Sequence, residues 1–422
     1  MIVELTKLRK ILYAIAACLF PLIGMAEMAI NPAIYGIMET YGYDFIGSYV
    51  VSAPTLWTAI GALCCGFALK KFTKKQLLVF AATVFTIFGF FATAFTEVAW
   101  FALSRSVMGF TEGIINTLMA AYIVQMYMDD KGRAAFMSIY NLFYCLIGAG
   151  LSAAGGFLSV PVWQNAFTIY ALGVLVVLLA VFFLPEIDRA DKLSAAGREY
   201  LAAEQAKQEN MDASAGKSEG FGRIFWLSLA AWFISMVMCG FFFYFASELL
   251  EETGVGDSSV TGLVFTANSL IGLLSSVVLT PLWLRTKKWM GTIGIALEVL
   301  GFSFFLTMSG SLVGAYIAAL LIGFGMGFYY PGFYMIVADV TPLAKNDMAI
   351  SLAGSVYSLA YFLVSYLVNF LRPILDPDFQ MVINQLPVFF VIGLIGLGVE
   401  LLSNVGYKQY KQAHADVSAQ EA

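Results

Sequence analysis

We single out five ionisable side chains that lie inside long apolar stretches of the sequence, and three of them could bind and transfer protons. Glu27 lies in the first such stretch, and Arg105 and Glu112 share a later one. The other two are Arg372 and Glu298, and for Glu298 we expect a snorkelling or interhelical role. Placing an ionisable group in hydrocarbon costs at least about 2.5–3.5 kcal/mol on insertion scales, so such residues usually serve a function. Burial favours the protonated form of a carboxyl group, and a nearby arginine favours the ionised form. We therefore expect Glu27 or Glu112 to take up and release a proton, with Arg105 as the movable counter-charge.

The spacing of these residues indicates that they share a helical face. At about 100° per residue, Arg105, Glu112 and Asn116 fall on one narrow stripe. Asn31 lies one turn from Glu27 on the first apolar segment. We predict that the charged groups point into one cavity in the N-terminal half, where Asn31 and Asn116 would bind substrate. The alternative is a structural polar network that fastens the first and fourth apolar segments together.

Other kinds of chemistry lack the residues they need. The single histidine, His414, lies in a polar C-terminal stretch, which excludes a buried His-based metal site or a His-activated nucleophile. The five cysteines lie in apolar runs without CxxC spacing, and no P-loop pattern occurs. The net charge of -5 and the lack of a basic run disfavour nucleic acid as a partner. We expect no enzymatic activity, no metal and no cofactor.

The composition predicts the elements that position these residues. Hydrophobic residues make up 60% of the chain and charged residues 12%, against about 25% charged residues in an average soluble domain. Such a chain cannot cover a globular surface with polar groups, so we predict an integral protein surrounded by the lipid bilayer. A crossing needs roughly 20 mainly apolar residues. Twelve segments qualify: 11–37, 46–69, 76–96, 99–127, 134–158, 163–185, 223–250, 259–284, 289–309, 311–341, 347–373 and 379–406.

Positive charge orients the predicted spans. All lysines and arginines except Arg105 and Arg372 fall before the first span, in alternate connections or after the last span, which places them on one side. Because cytoplasmic loops carry an excess of Lys and Arg, that side is predicted to be cytoplasmic, and both termini lie there. The expected location is the cell membrane, or the inner membrane if the source is Gram-negative.

Two short sequence patterns in the first half of the chain recur in the second half. Phe72–Lys75 corresponds to Arg285–Lys288 at an offset of 213 residues, and Gly109–Gly113 corresponds to Gly323–Gly327 at an offset of 214. Duplicated bundles that bind substrate near the midplane at their interface are a known transporter plan. We predict a monomer with an N-terminal six-helix bundle (1–185), a cytoplasmic linker (186–222), a C-terminal six-helix bundle (223–406) and a cytoplasmic tail (407–422).

Two local patterns are similar to those of a known family. The stretch Gly66–Lys75 resembles the loop 2–3 signature G-x-L-a-D-R-x-G-R-K of the major facilitator superfamily, and Arg105-x-x-x-Gly109-x-x-x-Gly113 resembles that family's span 4 signature. The resemblance implies an all-α membrane fold of twelve transmembrane helices in two six-helix bundles. It also implies secondary transport by alternating access, with a coupling role for Arg105.

The subfamily pattern is only partly present. Gly24-Met-Ala-Glu27-Met resembles the acidic start of span 1 in drug:proton antiporters. The family's loop aspartate is replaced by Lys70, and Leu151-Ser152 stands where the antiporter signature has Gly-Pro. The chain is thus weakly similar to the drug:proton antiporter branch.

The C-terminal half offers aromatic and hydroxyl groups instead of charge, which suits an amphipathic or aromatic substrate. The first prediction is proton-coupled export of an amphipathic compound. The alternatives are uptake or exchange of a small organic anion (a carboxylate) and transport of a sugar or polyol, whereas a non-transporting receptor is disfavoured. The predicted substrate-binding residues are Asn31, Asn116, Asn141, Tyr144, Asn268, Tyr330, Tyr334 and Tyr361.

Overall fold

The computed structural model describes residues 2–95, 97–127, 130–188, 190–200, 221–286, 289–341 and 346–420. These residues form helices and connecting turns, with no β-strand among them. The predicted all-α architecture is therefore confirmed.

Twelve long helical segments follow one another along the chain, and we number them as spans 1 to 12. Among the described residues, eleven helices are long and apolar enough to cross a membrane. The remaining long helix, span 4, carries the polar stripe of Arg105, Glu112 and Asn116. The spans are Lys7–Tyr41, Phe45–Ala68, Lys74–Phe91, Val98–Met126, Asp130–Ser159, Trp163–Phe183, Arg223–Glu252, Ser258–Thr286, Trp289–Thr307, Leu312–Val340, Asn346–Leu375 and Leu386–Gln420.

The chain divides into two compact units. The N-terminal unit comprises Met1–Ser214 and Asp257–Thr266, and the C-terminal unit comprises Ala215–Gly256 and Ala267–Ala422. The second of these N-terminal segments, Asp257–Thr266, thus contains the beginning of span 8. Residues 201–220 of the predicted linker lie outside the described residues, and the predicted domain boundaries stay a prediction.

Span 1 is a broken helix. Its α-helical segments are Lys7–Leu19, Pro21–Gly24, Glu27–Ile30 and Ile34–Tyr41, with a 3-10 turn at Asn31–Ala33. Pro21 and the proline of that turn lack the N–H group that would continue the hydrogen-bond ladder. The break leaves the Gly24 carbonyl oxygen able to accept a hydrogen bond of 3.1 Å from the Tyr144 hydroxyl of span 5. Glu27 begins the segment that follows the break.

Glycines allow span 4 to pack closely on span 2. A Cβ atom at Gly109 would lie 2.3 Å from the carbonyl oxygen of Pro54, and one at Gly113 would lie 2.0 Å from that of Thr58. Both distances are shorter than any van der Waals contact, so only glycine fits. This small-residue packing brings Arg105, one turn before Gly109 on the same face, against the backbone of span 2.

Candidate proton-coupling and substrate site

Glu27 and Arg105 form a bidentate ion pair inside the N-terminal unit. The Nη1 and Nη2 atoms of Arg105 donate to Oε1 and Oε2 of Glu27, each at 2.8 Å. The side chain of Arg105 is 2% exposed and that of Glu27 is 24% exposed. Paired charge-assisted hydrogen bonds in this planar arrangement are roughly twice as strong as hydrogen bonds between neutral groups. The pair joins span 1 to span 4.

A proline in span 2 supplies further acceptors for Arg105. Pro54 has no N–H group, so the carbonyl group of Val50, four residues earlier, lacks its usual helical donor. Arg105 Nε donates to that oxygen at 3.1 Å, and Nη2 donates to the carbonyl oxygen of Val51 at 3.3 Å. The guanidinium therefore keeps neutral acceptors even if Glu27 releases it.

Tyr170 completes the contacts of Glu27. Its hydroxyl donates to Glu27 Oε1 at 2.9 Å, and its ring stacks on Phe167 at a centroid distance of 5.7 Å. The guanidinium carbon of Arg105 lies 5.9 Å from the centroid of the Phe167 ring. The sequence analysis missed Tyr170 because it lies in span 6 with no motif or spacing that links it to span 1.

Glu112 lies close to this pair without joining it. Its Oε1 atom accepts a hydrogen bond of 3.4 Å from Asn116 Nδ2, one turn along span 4. Glu112 is within electrostatic range of both Glu27 and Arg105. The three predicted charged residues thus occupy one neighbourhood of the N-terminal unit, with Arg105 bound to Glu27 and not to Glu112. Their roles in coupling remain a proposal.

The other predicted polar residues of this unit have different surroundings. The Asn116 Oδ1 atom lies against Gly24, 2.7 Å from where a Cβ atom would be, and Tyr144 binds the same glycine through its carbonyl group. Asn31 is buried, with its amide nitrogen 3.9 Å from the Met28 sulfur. Asn141 is exposed on span 5. The break in span 1 therefore gathers Asn116 and Tyr144, but not Asn141.

The C-terminal unit presents a cluster of tyrosines around Trp232 of span 7. Tyr330 and Tyr334 of span 10 lie with ring centroids 5.5 Å and 6.1 Å from that of Trp232. On span 11, the rings of Tyr357 and Tyr361 are 4.7 Å apart. Tyr330 is 41% exposed, whereas Tyr361 is buried. Tyr330, Tyr334 and Tyr361 thus belong to one aromatic cluster, together with Trp232 and Tyr357, which the sequence analysis did not single out. That they bind substrate stays a prediction.

Asn268 of span 8 is engaged with the backbone of its own unit. Its side-chain nitrogen donates to the carbonyl oxygen of Ala319 at 2.9 Å, and Gly323 packs against the same asparagine. A Cβ atom at Gly323 would lie 2.4 Å from the Asn268 carbonyl oxygen. This contact fixes spans 8 and 10 to each other.

A second buried ion pair lies at the end of span 11. Arg372 Nη2 is 2.6 Å from Glu248 Oε2 of span 7, and both side chains are 3% exposed. Arg372 also donates to the Asn369 side chain at 3.0 Å and to the carbonyl oxygen of Gln380 at 2.9 Å. Glu248 lies in an apolar run of the sequence, which marks it as an ionisable residue within a membrane span. It was not among the residues predicted to be functional.

The loop after span 11 is held by Asp376. Its carboxylate accepts hydrogen bonds of 3.1 Å from the backbone N–H groups of Phe379 and Met381, and these bonds hold the pKa of Asp376 below its usual value. Gln380, between them, has a φ of 54°, the left-handed region that non-glycine residues rarely adopt. Asp376 and Arg372 together stabilise this conformation.

Comparison with known proteins identifies the family. The family model of the Major Facilitator Superfamily matches residues 16–365. The chain is 28% identical over 169 residues to the galactose-proton symporter of Escherichia coli (strain K12), covering 40% of this chain and 35% of that protein. It is 22% identical over 356 residues to the D-xylose transporter of Levilactobacillus brevis, covering 75% of this chain and 76% of the relative. The match to the galactose-proton symporter thus spans about a third of that relative's length.

Solved structures share the fold at low sequence identity. A D-xylose-proton symporter has a TM-score of 0.73 at 15% identity, covering 93% of this chain and 97% of the other. A bacterial homolog of the human lysosomal transporter Spinster, inward-facing and unoccupied, has a TM-score of 0.72 at 14% identity, covering 94% and 97%. The weak resemblance to drug:proton antiporters gains no support from these relatives. The chain belongs to the Major Facilitator Superfamily and is a multi-pass protein of the cell membrane.

Proposed function

We propose that this protein is a secondary transporter that moves a sugar or a related polyol across the membrane together with protons. The observation that carries the coupling is the Glu27 carboxylate, which is bound at both oxygens by Arg105 and at one by Tyr170. The substrate class is supported by relatives named as a galactose-proton symporter and a D-xylose transporter. This reading replaces amphipathic export, the first prediction from the sequence, with its sugar alternative.

The ion pair provides a mechanism for coupling. A proton that binds a Glu27 oxygen neutralises the carboxylate and removes its attraction for Arg105. The guanidinium keeps its hydrogen bonds to the carbonyl groups of span 2, and the nearby Glu112 is available to balance its charge. Protonation would thereby loosen span 1 from span 4, which is a local change that alternating access can use.

The tyrosine surface of the C-terminal unit suits a sugar. A sugar ring has an apolar face of C–H groups and a rim of hydroxyl groups. A tyrosine offers both an aromatic face and a hydroxyl group that donates or accepts hydrogen bonds. Tyr330, 41% exposed, and its neighbour Tyr334 provide both kinds of contact.

Amphipathic compounds and organic anions are the two alternative substrate classes. The same aromatic surface could contact an amphipathic compound, which favours the export reading. An organic anion would need a cation, but Arg105 is already bound at both of its Nη atoms by Glu27. A carboxylate substrate would have to displace Glu27, so this alternative ranks lower.

The deciding experiment is transport into proteoliposomes under an imposed pH gradient. The panel contains hexoses, pentoses, polyols, carboxylates and lipophilic cations. We expect a sugar or polyol to accumulate on the alkaline side, moving with the protons, and an uncoupler to abolish the accumulation. Movement of a lipophilic cation against the proton flux, with no sugar transported, would overturn the sugar proposal and reinstate export.

Removing the most exposed aromatic face should weaken substrate binding. Stacking contacts of aromatic rings contribute about 0.5–1.5 kcal/mol beyond their burial, so Tyr330→Ala should raise the KM for sugar up to about tenfold. Tyr330→Phe keeps the ring and should have a smaller effect. The matched control is Phe182→Ala, which removes an exposed ring from span 6. Equal KM values in wild type and Tyr330→Ala would exclude this residue from the substrate site.

A further inference from the structure

Another buried carboxyl group of the C-terminal unit takes no part in the contacts described above. Glu298, the tenth residue of span 9, is 0% exposed. Its Oε2 atom accepts a hydrogen bond of 2.5 Å from Ser235 of span 7, whereas Oε1 has no hydrogen-bond partner. No lysine or arginine pairs with Glu298 within the part of the chain that the structure describes. The sequence analysis expected a snorkelling or interhelical role, and the contact with Ser235 is interhelical.

Glycines make room for this carboxyl group between spans 9 and 10. Gly294 and Glu298, one turn apart, face Gly325 and Tyr329, also one turn apart. A Cβ atom at Gly325 would lie 2.9 Å from Glu298 Cγ, and one at Gly294 would lie 2.7 Å from Tyr329 Cβ. The closeness of the two helices therefore places the Tyr329 ring beside the helix face that carries Glu298.

Tyr329 also lies near a second buried carboxyl group, that of Glu400. The hydroxyl oxygen of Tyr329 is buried and has no hydrogen-bond partner, so it can still donate and accept. A Cβ atom at Gly291 would lie 2.7 Å from Glu400 Oε1 of span 12 and 3.5 Å from Tyr329 Cε2. Tyr329 is within electrostatic range of both Glu400 and Glu298. Gly291 and Glu298 are seven residues, or about 10 Å, apart along span 9.

The groups described around Glu298 include no cation, so a bound proton is what can neutralise its carboxylate. Among the described residues, the titratable side chains within electrostatic range of Glu298 are the thiol of Cys239 on span 7 and the phenol of Tyr329 on span 10, and Tyr329 is in turn within range of the carboxyl of Glu400 on span 12. None of these is a cation. An ionised carboxylate without a cation in an apolar interior costs several kcal/mol, whereas a bound proton removes the charge.

We propose that Glu298 is a proton-binding site inside the C-terminal unit, which exchanges its proton through Tyr329 and Glu400 with the predicted cytoplasmic end of span 9. Glu400 lies beside Gly291, the third residue of that span. The proton passes between oxygen atoms of carboxyl and phenol groups, so no other reactant is needed. The site is independent of the Glu27–Arg105 pair and of the identity of the substrate.

Infrared spectroscopy of the full-length protein in lipid vesicles, without substrate, tests the site. Wild type should show C=O stretching bands of protonated carboxyl groups, and Glu298→Gln should lose one of these bands. Glu39→Gln, a change at an exposed position of span 1, should keep it. Ser235→Ala retains the acid but removes its hydrogen-bond donor, so the band should shift in frequency. A band unchanged in both Glu298→Gln and Ser235→Ala would overturn the proposal.

Exchange of the proton is measured by transfer into D₂O. The carboxyl band should shift as deuterium replaces the proton, and Tyr329→Phe, which removes only the hydroxyl group, should slow that shift by at least about tenfold, or about 1.4 kcal/mol. Phe324→Leu provides a control elsewhere on span 10. Equal exchange rates in wild type and Tyr329→Phe would remove the route through Tyr329, and transport activity does not enter either measurement.

Discussion

Replacing Glu27 with glutamine is expected to abolish proton-driven accumulation of substrate while leaving substrate exchange. Glutamine keeps the size of the side chain and an oxygen that can accept from Tyr170 or Arg105, but it cannot bind a proton. With one proton per substrate, a gradient of about 2 pH units can sustain roughly 100-fold accumulation, since each tenfold ratio corresponds to about 1.4 kcal/mol. In Glu27→Gln the substrate concentrations on the two sides of the membrane should become equal.

The measurement compares accumulation and counterflow in the same proteoliposomes. Glu39→Gln, an exposed change on the same span, is the matched control and should accumulate substrate like wild type. Glu112→Gln and the double variant show which carboxyl group carries the proton. If both single variants and the double variant accumulated substrate normally, proton coupling through these acids would be ruled out, whatever the substrate.

Arg372→Ala is expected to lower the unfolding free energy of the protein by about 3–5 kcal/mol, the usual loss when one partner of a buried ion pair is removed. The change leaves Glu248, itself 3% exposed, without its cation. It also removes the donors to Asn369 and to the carbonyl group of Gln380. Arg105→Ala should cost less, because Glu27 is 24% exposed and can be partly solvated.

Denaturant unfolding in detergent micelles measures this loss. Adding Glu248→Gln to Arg372→Ala removes the stranded charge and should recover part of the stability, which a general packing defect would not allow. Arg223→Ala, at an exposed position at the start of span 7, is the control. A loss below about 1 kcal/mol would show that the pair behaves like a solvent-exposed salt bridge.

Several features follow from the sequence because they depend on local patterns. Long apolar runs predict helices that cross the bilayer, and the regular spacing of Arg105, Glu112 and Asn116 on one helix predicts their common face. The small-residue spacing of Gly109 and Gly113 likewise predicts a close helix contact. In each case the helical period fixes the geometry before any other helix is placed.

The sequence did not determine the substrate class. It favoured an amphipathic compound over a sugar, whereas the relatives are named as sugar transporters. Aromatic residues in the C-terminal half favoured an amphipathic compound, but the same phenol groups also suit a sugar. Composition does not distinguish these ligands, because the choice depends on where each hydroxyl group points. The names of related transporters shifted the proposal toward a sugar.

Taken alone, the sequence determined the number and type of the helices and the few ionisable residues that they place in the membrane. Only the tertiary structure decided which of these residues are partners. Glu27 and Arg105 are 78 positions apart, and Glu248 and Arg372 are 124 apart. The Glu27–Arg105 pair forms where span 1 is broken and span 4 packs closely on span 2. Both pairs join residues on different helices, and the period of a single helix does not encode such a contact.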